Sequence, residues 1–178
     1  VGLTIQEGLD LFQADGLRYA LAASFPEQAD TDISIEEIAR RINEELVATW
    51  GNLVNRVLSM VNKNFGEQPS VEGRTEADHA VLGAVDELLT TANGQLERVE
   101  LKGALRTAMD AAQAVNAYLN ATEPWKVAKE DPQRAGVLLG TALDAINGVR
   151  IGFAPFLPFS TEALSEILGP IEGWSRVP

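Results

Sequence analysis

Ser34-Ile-Glu-Glu-Ile-Ala-Arg-Arg-Ile-Asn-Glu-Glu-Leu-Val-Ala-Thr-Trp-Gly-Asn-Leu-Val-Asn-Arg-Val-Leu-Ser-Met-Val-Asn-Lys-Asn-Phe65 is the stretch on which the fold turns. Its apolar residues Ile35, Ile38, Ile42, Leu46, Leu53, Val57 and Val61 recur at helical spacing and form one stripe, which predicts a helix running to about Phe65. Ser34 and Glu37 predict a capping box at its start, hydroxyl and carboxylate each satisfying an exposed backbone N–H. A helix with one long apolar stripe needs other helices to bury it. At about 100° per residue, Asn52, Asn55, Arg56, Ser59, Asn62 and Lys63 fall together on the opposite arc, with no acidic member.

Working outward, nearly every segment between prolines and glycines carries helical spacing, and alternating strand patterns are scarce. Ile5 to Phe12 and Ala14 to Ser24 predict a pair of short helices, followed by a polar loop from Phe25 to Asp32. After a loop over Gly66 to Arg74, Thr75 caps a helix expected to reach about Ala92, with Val81, Val85, Leu88, Leu89 and Ala92 on its buried side. Asn93-Gly94 reads as a turn. The next helix, from about Leu96 to Asn120, buries Leu105, Ala108, Met109, Ala112, Val115 and Leu119. Asp131-Pro132 is an N-cap followed by proline at the first helical position, starting a helix that ends near Gly152 with Leu138, Leu139, Leu143 and Ile146 in the core. Pro155 and Pro158 force an irregular crossing before a last helix, Ser160 to Leu168, closed by Gly169 and Pro170. The sum is an all-α helix bundle.

Composition narrows the chemistry. With 178 residues the chain suits one domain. It has no cysteine, which excludes disulfides, thiolate metal sites and cysteine catalysis, and its one histidine, His79, reads as a surface residue in the first turn of a helix. No run of apolar residues is long enough to span a membrane, and no signal-peptide pattern is visible, so the expected setting is cytoplasmic. The acidic pairs Glu36/Glu37 and Glu44/Glu45 lie on different helical faces and make poor acid–base or metal sites.

Glu123-Pro-Trp-Lys-Val-Ala-Lys129 sets a tryptophan beside a proline at a helix break. With proline on one side and Lys126 on the other favouring exposure, an indole there offers a stacking platform for an unstacked RNA base, worth about 1–3 kcal/mol by truncation. An indole after a proline also serves to cover a helix end, and both readings of Trp125 stand on the sequence. Trp50 and Trp174 read as packing residues. Asn52 and Arg56 lie one above the other on their helix. An amide offers donor and acceptor together and a guanidinium a planar fork, so the pair suits base edges, although a plain solvated face has the same spacing. The formal net charge of -12 works against nucleic-acid binding. Screening cuts long-range repulsion beyond roughly 8 Å, so a local cluster still binds one loop, weakly, if backbone contacts come from elsewhere.

Four stretches together resemble the anticodon-binding region of the methionyl-tRNA synthetase family: Asp15-Gly-Leu-Arg-Tyr19, Ile42-Asn43 with Gly51-Asn-Leu-Val-Asn-Arg56, Asn120-Ala-Thr-Glu-Pro-Trp-Lys-Val-Ala-Lys129, and Pro155-Phe-Leu-Pro158. They follow the family's order over nearly the whole chain. The resemblance implies a helix bundle of the class Ia aminoacyl-tRNA synthetase anticodon-binding type that reads the CAU anticodon loop of tRNA(Met). It implies that the tryptophan at 125 stacks on an anticodon base, that Asn52 and Arg56 contact base edges, and that Pro124 shapes the pocket. The three side chains Asn52, Arg56 and Trp125 are then expected on one solvent-facing surface. Residues 1–32 would correspond to stem-contact and linker helices after a catalytic domain, and 33–178 to the anticodon-binding bundle. Gly16 departs from the family's usual alanine, at a helix-propensity cost of roughly 1 kcal/mol.

A single histidine cannot supply the family's His-x-Gly-His signature. Lys126-Val-Ala-Lys129 matches the lysine spacing of the Lys-Met-Ser-Lys-Ser loop but lacks its serines. The resemblance therefore implies the C-terminal part of a methionine–tRNA ligase, inactive by itself, with no cofactor of its own and with the ATP, methionine and zinc sites upstream in the same chain. Two alternatives stay open on sequence: a helical scaffold domain whose acidic surface meets a basic partner, and the equivalent domain of another class I synthetase such as leucyl.

Overall fold

A computed structural model of the chain describes residues 4–26 and 33–171. Trp174 and most of the loop expected over Phe25–Asp32 lie outside the described residues. Those described fold into helices α1 (Ile5–Leu11), α2 (Ala14–Ala23), α3 (Ile35–Arg40), a π-helical segment (Arg41–Gly51), α4 (Asn52–Asn64), α5 (Glu76–Glu97), α6 (Leu101–Thr122), α7 (Pro124–Val127), α8 (Pro132–Phe153) and α9 (Pro158–Leu168). Among them no helix is long and apolar enough to cross a membrane.

The expected long helix exists, but its middle is wound differently. From α3 to α4 the backbone stays helical, and at the π–α junction the Asn52 N–H donates to Val47 O, five residues back. Its effect falls on the row Ile38, Ile42, Leu46 and Trp50. Steps of four residues in α geometry advance about 400°, so a buried row would drift by about 40° per step. The i→i+5 pattern fits more residues into a turn and turns such a row back in the opposite sense. All four residues thereby stay against the bundle, Ile38 at its N-terminal side and Leu46 and Trp50 in the main core. Ile35, expected on the stripe, is instead exposed. The Ser34 hydroxyl accepts from the Glu37 N–H at 3.1 Å. The reciprocal half of the box is missing, because the Glu37 carboxylate turns to Arg40 and Arg41 at 2.8 and 2.9 Å.

Helices α5, α6 and α8 pack on one another most extensively, and α4 lies against α8. Val137, Leu138, Leu139, Ala142, Ala145, Ile146, Val149 and Phe153 bury α8 on almost every side. Trp50 meets the Phe153 ring with centroids 5.0 Å apart, which fits its reading as a packing residue. The expected turn at Asn93-Gly94 is not there: α5 continues through both residues to Glu97. A glycine inside a helix costs about 1 kcal/mol relative to alanine, which the packing of α5 against α6 overrides. The real turn is Arg98-Val99-Glu100, so α6 starts at Leu101 rather than Leu96. There the Val99 N–H donates to Leu96 O at 2.9 Å and the Glu100 N–H to Gln95 O at 2.9 Å. This is a Schellman closure, and Val99 occupies its left-handed position at φ 61°.

At the C-terminal end, α9 begins at Pro158, two residues before its expected start. Its N-terminus is capped from far away in sequence. The buried Asp15 carboxylate accepts from the Ser160 N–H and hydroxyl, both at 2.6 Å, and from the Phe159 N–H at 3.3 Å. One turn along α2, Arg18 donates to Phe156 O at 3.1 Å and Pro155 O at 2.8 Å. The Asp15–Tyr19 motif and the Pro155–Pro158 crossing are thus two halves of one joint. Gly16, inside the first motif, faces the π segment instead, where a Cβ would meet Ile42 Cδ1 at 3.0 Å.

Candidate nucleic-acid interface

Helix α6 ends at Thr122, and the chain reverses through Glu123 in a left-handed conformation, φ 43° and ψ 56°. Such a backbone is costly for a side chain bearing a Cβ, by about 1–2 kcal/mol, and strain of this kind concentrates where a segment must be aimed. Pro124 then fixes the first position of the one-turn helix α7 and is itself buried. Glu123 closes the turn through Lys126, with Oε1 and Nζ 2.7 Å apart. These constraints put Trp125 at the outer corner between α6 and α8, 37% exposed.

Opposite that corner stands α4. The Arg56 guanidinium carbon lies 5.7 Å from the centroid of the Trp125 ring. A cation at this distance is attracted to the ring face by about 0.5–1 kcal/mol at an exposed site. Arg56 also donates from Nη2 to Asn116 Oδ1 at 3.1 Å. Among the described residues it makes no ion pair, which is notable in a chain of net charge -12. Asn52 sits one turn earlier on α4, exposed, donating from Nδ2 to Ala48 O at 3.4 Å, while nothing among the described residues donates to its Oδ1. Asn55, Ser59, Asn62 and Lys63 of the same arc are exposed as well.

Geometry therefore brings Arg56 and Trp125 into contact, with the buried Pro124 just before Trp125 in the chain and Asn52 one turn before Arg56 on the same side of its helix. A partly exposed indole, a guanidinium with unused N–H groups and an amide with a free acceptor can together take a planar heterocycle, by stacking and by edge hydrogen bonds.

Two groups near this surface had little signal in the sequence. Asn116 is a polar residue on the margin of the α6 apolar stripe, and only the partners it finds mark it out. Asp78 carried a clearer hint, in the third position after Thr75 where a capping-box carboxylate belongs. It accepts from the Thr75 N–H at 2.7 Å and hydroxyl at 2.9 Å. It also accepts from the Tyr118 hydroxyl at 2.5 Å and from Arg134 at 2.6 and 3.0 Å, and it is fully buried. Burial alone would push its pKa up. The Arg134 guanidinium, the Tyr118 hydroxyl and the Thr75 groups outweigh that and hold the carboxyl well below the usual carboxylate range. Burial, reinforced by Asp78, pushes the Tyr118 phenol well above its ordinary value. Tyr118 is on α6 before the Trp125 corner and Arg134 on α8 after it, so Asp78 ties together the two ends between which α7 is looped out.

An all-helical bundle with this surface at one corner is of the class I aminoacyl-tRNA synthetase kind, and residues 1–58 match the family model described as tRNA synthetases class I (M). Residues 68–176, more than half of the chain, match the model described as the anticodon binding domain of methionyl tRNA ligase, and the chain belongs to that family. Asn52 and Arg56 fall in the first matched stretch, Pro124 and Trp125 in the second. Among curated relatives, the methionine–tRNA ligase of Chloroflexus aggregans is 46% identical over 165 residues, covering 93% of this chain and 28% of its own length. That of Thermobifida fusca is 40% identical over 178 residues, covering 100% of this chain and 29% of its own. The solved structure of Mycobacterium tuberculosis methionyl-tRNA synthetase in complex with methionyl-adenylate superimposes with a TM-score of 0.87 at 28% identity, over 94% of this chain and 34% of that one. The chain thus spans less than a third of the length of these curated relatives.

Proposed function

We propose that this chain reads the CAU anticodon loop of tRNA(Met), with Trp125 as the stacking platform, Arg56 and Asn52 as donors and acceptors to base edges, and Pro124 as the wedge that holds the indole outward. The observation that carries the reading is the Arg56 guanidinium over the half-exposed Trp125 ring, 5.7 Å from its centroid. A solvated face gives no reason for an acidic protein to keep a cation there without a carboxylate partner, whereas a stacked base needs both groups.

In this reading the chain works in the cytoplasm as one part of a methionine–tRNA ligase. Residues 1–32 link to the catalytic domain of the same polypeptide and residues 33–178 form the anticodon-binding bundle. ATP-dependent joining of methionine to tRNA belongs to the catalytic domain, so the 178-residue chain binds RNA without charging it, takes no cofactor and touches no membrane. Sequence selectivity comes from the loop contacts, while most affinity comes from phosphate contacts made by the rest of the enzyme.

The test is a direct titration of this chain with a labelled stem-loop carrying CAU and with the same stem bearing a scrambled loop triplet, followed by anisotropy at low salt. Tighter binding of the CAU loop is expected. Equal binding of both would remove the reading and favour the acidic scaffold instead.

A further inference from the structure

An arginine aimed at a base must be held, because its side chain loses about 2 kcal/mol of rotamer freedom when it is fixed. Lys63, farther along the same arc, is exposed. Arg56, in contrast, is half-buried and tied to Asn116, whose amide has a single possible orientation. Both N–H groups of Asn116 are committed to backbone carbonyls, donating to Thr49 O at 3.2 Å and to Ala112 O at 3.2 Å. Its Oδ1 is thereby turned towards α4, where it accepts from Arg56 Nη2 at 3.1 Å. Thr49 belongs to the π-helical segment, in which the carbonyl ladder is displaced from α register. One amide therefore joins α6, the last turn of the π segment and the arginine.

We infer that Asn116 is a positioning residue that sets the Arg56 guanidinium over the Trp125 ring and so determines how well the chain tells one loop triplet from another; the inference rests on the reading given under Proposed function. Asn116 does not touch RNA. It acts through Arg56, occupying one N–H of the fork and leaving the others directed outward. The same helix that holds Asn116 ends at Thr122, immediately before the Trp125 corner, so the C-terminal turns of α6 set the positions of both cation and ring. Without the amide, the guanidinium is free to swing off the ring into solvent.

The test is a double-mutant cycle read as loop discrimination, the ratio of affinities of the 178-residue chain for the CAU stem-loop and its scrambled counterpart. Asn116→Ala, Arg56→Ala and the double variant are compared with the parent chain, with thermal melts alongside. Asn116→Ala is expected to lower discrimination by about tenfold in the Arg56 background and to change nothing further once Arg56 is alanine. Asn116→Ser, which is too short to reach both Thr49 O and Arg56, repeats the measurement should the alanine variant melt too low, with the same expected loss. Additive losses in the two backgrounds, or full discrimination by Asn116→Ala, would overturn the inference while leaving the reading of the surface intact. A parent chain that binds both loops alike would overturn the reading itself, and the inference with it.

Discussion

Replacing Asp78 by alanine removes the acceptor of five donor contacts at once. Tyr118, 7% exposed, loses the partner of its hydroxyl, at a cost of about 1–3 kcal/mol for a buried polar group left unsatisfied. The loss of the Thr75 contacts weakens the N-terminus of α5 by about 1 kcal/mol. Arg134 would keep a charge without a partner, and breaking a buried pair typically costs about 3–5 kcal/mol. Its side chain is 28% exposed, however, so water recovers around half of that loss and the total comes to about 4–6 kcal/mol. Urea unfolding followed by helix signal measures it, as a fall in midpoint at unchanged slope. Asp78→Asn, which keeps the shape and an acceptor but removes the charge, should lose about half as much.

The pH dependence has a fixed sign. The folded-state pKa of Asp78 is depressed relative to about 3.9 in an unfolded chain, so the unfolded state binds more protons as pH falls below about 4. Stability from this carboxylate is fully present above that point and drains away on acidification, and Asp78→Asn should flatten the acid limb of the stability curve. A loss under about 1 kcal/mol for Asp78→Ala, or an acid limb unchanged in Asp78→Asn, would refute the reasoning.

Other sites give sharper, smaller effects. Val99→Gly should raise stability by about 1 kcal/mol despite the entropy cost of glycine, because Val99 is exposed at φ 61° in a closure that favours a residue without Cβ; a lower unfolding midpoint would contradict this. Gly140→Ala should cost about 1–3 kcal/mol, since the new Cβ would lie 2.7 Å from Val71 Cγ1 and 3.2 Å from Pro69 O, where the Pro69–Val71 loop crosses α8. An unchanged midpoint there would mean that this loop moves away freely.

The sequence carried the helices well wherever a stripe was long and punctuated by a true cap. Thr75 and Asp131 mark starts that the structure keeps, and the buried rows of α6 and α8 are those that periodicity picks out. It failed where tertiary packing competes with local chemistry. Asn93-Gly94 has every local mark of a turn, yet it is spanned by a helix whose partner α6 runs alongside, and the true reversal falls on a valine that no propensity favours. The π-helical winding had no mark in the sequence, because the four-residue spacing of Ile38, Ile42, Leu46 and Trp50 suits an ordinary α-helix equally well. At the candidate site, type and spacing made Trp125, Asn52 and Arg56 candidates for stacking and edge recognition without separating them from a packing indole and a solvated face, and the family resemblance singled them out and added Pro124. Asn116 had no such mark, and Asp78 showed only its capping position after Thr75, since their remaining partners lie about forty to seventy residues away, which no one-dimensional pattern encodes.

Recognition of an RNA loop by this surface requires that a nucleobase come to rest against the indole at position 125. Intrinsic tryptophan emission of the parent chain and of Trp125→Phe, each titrated with the CAU stem-loop, reports this most directly, because Trp50 is buried against Phe153 and gives little response to a ligand at the surface. Strong quenching in the parent that disappears in Trp125→Phe is the predicted result. Quenching of equal size in both proteins, or none in either at saturating RNA, would contradict it.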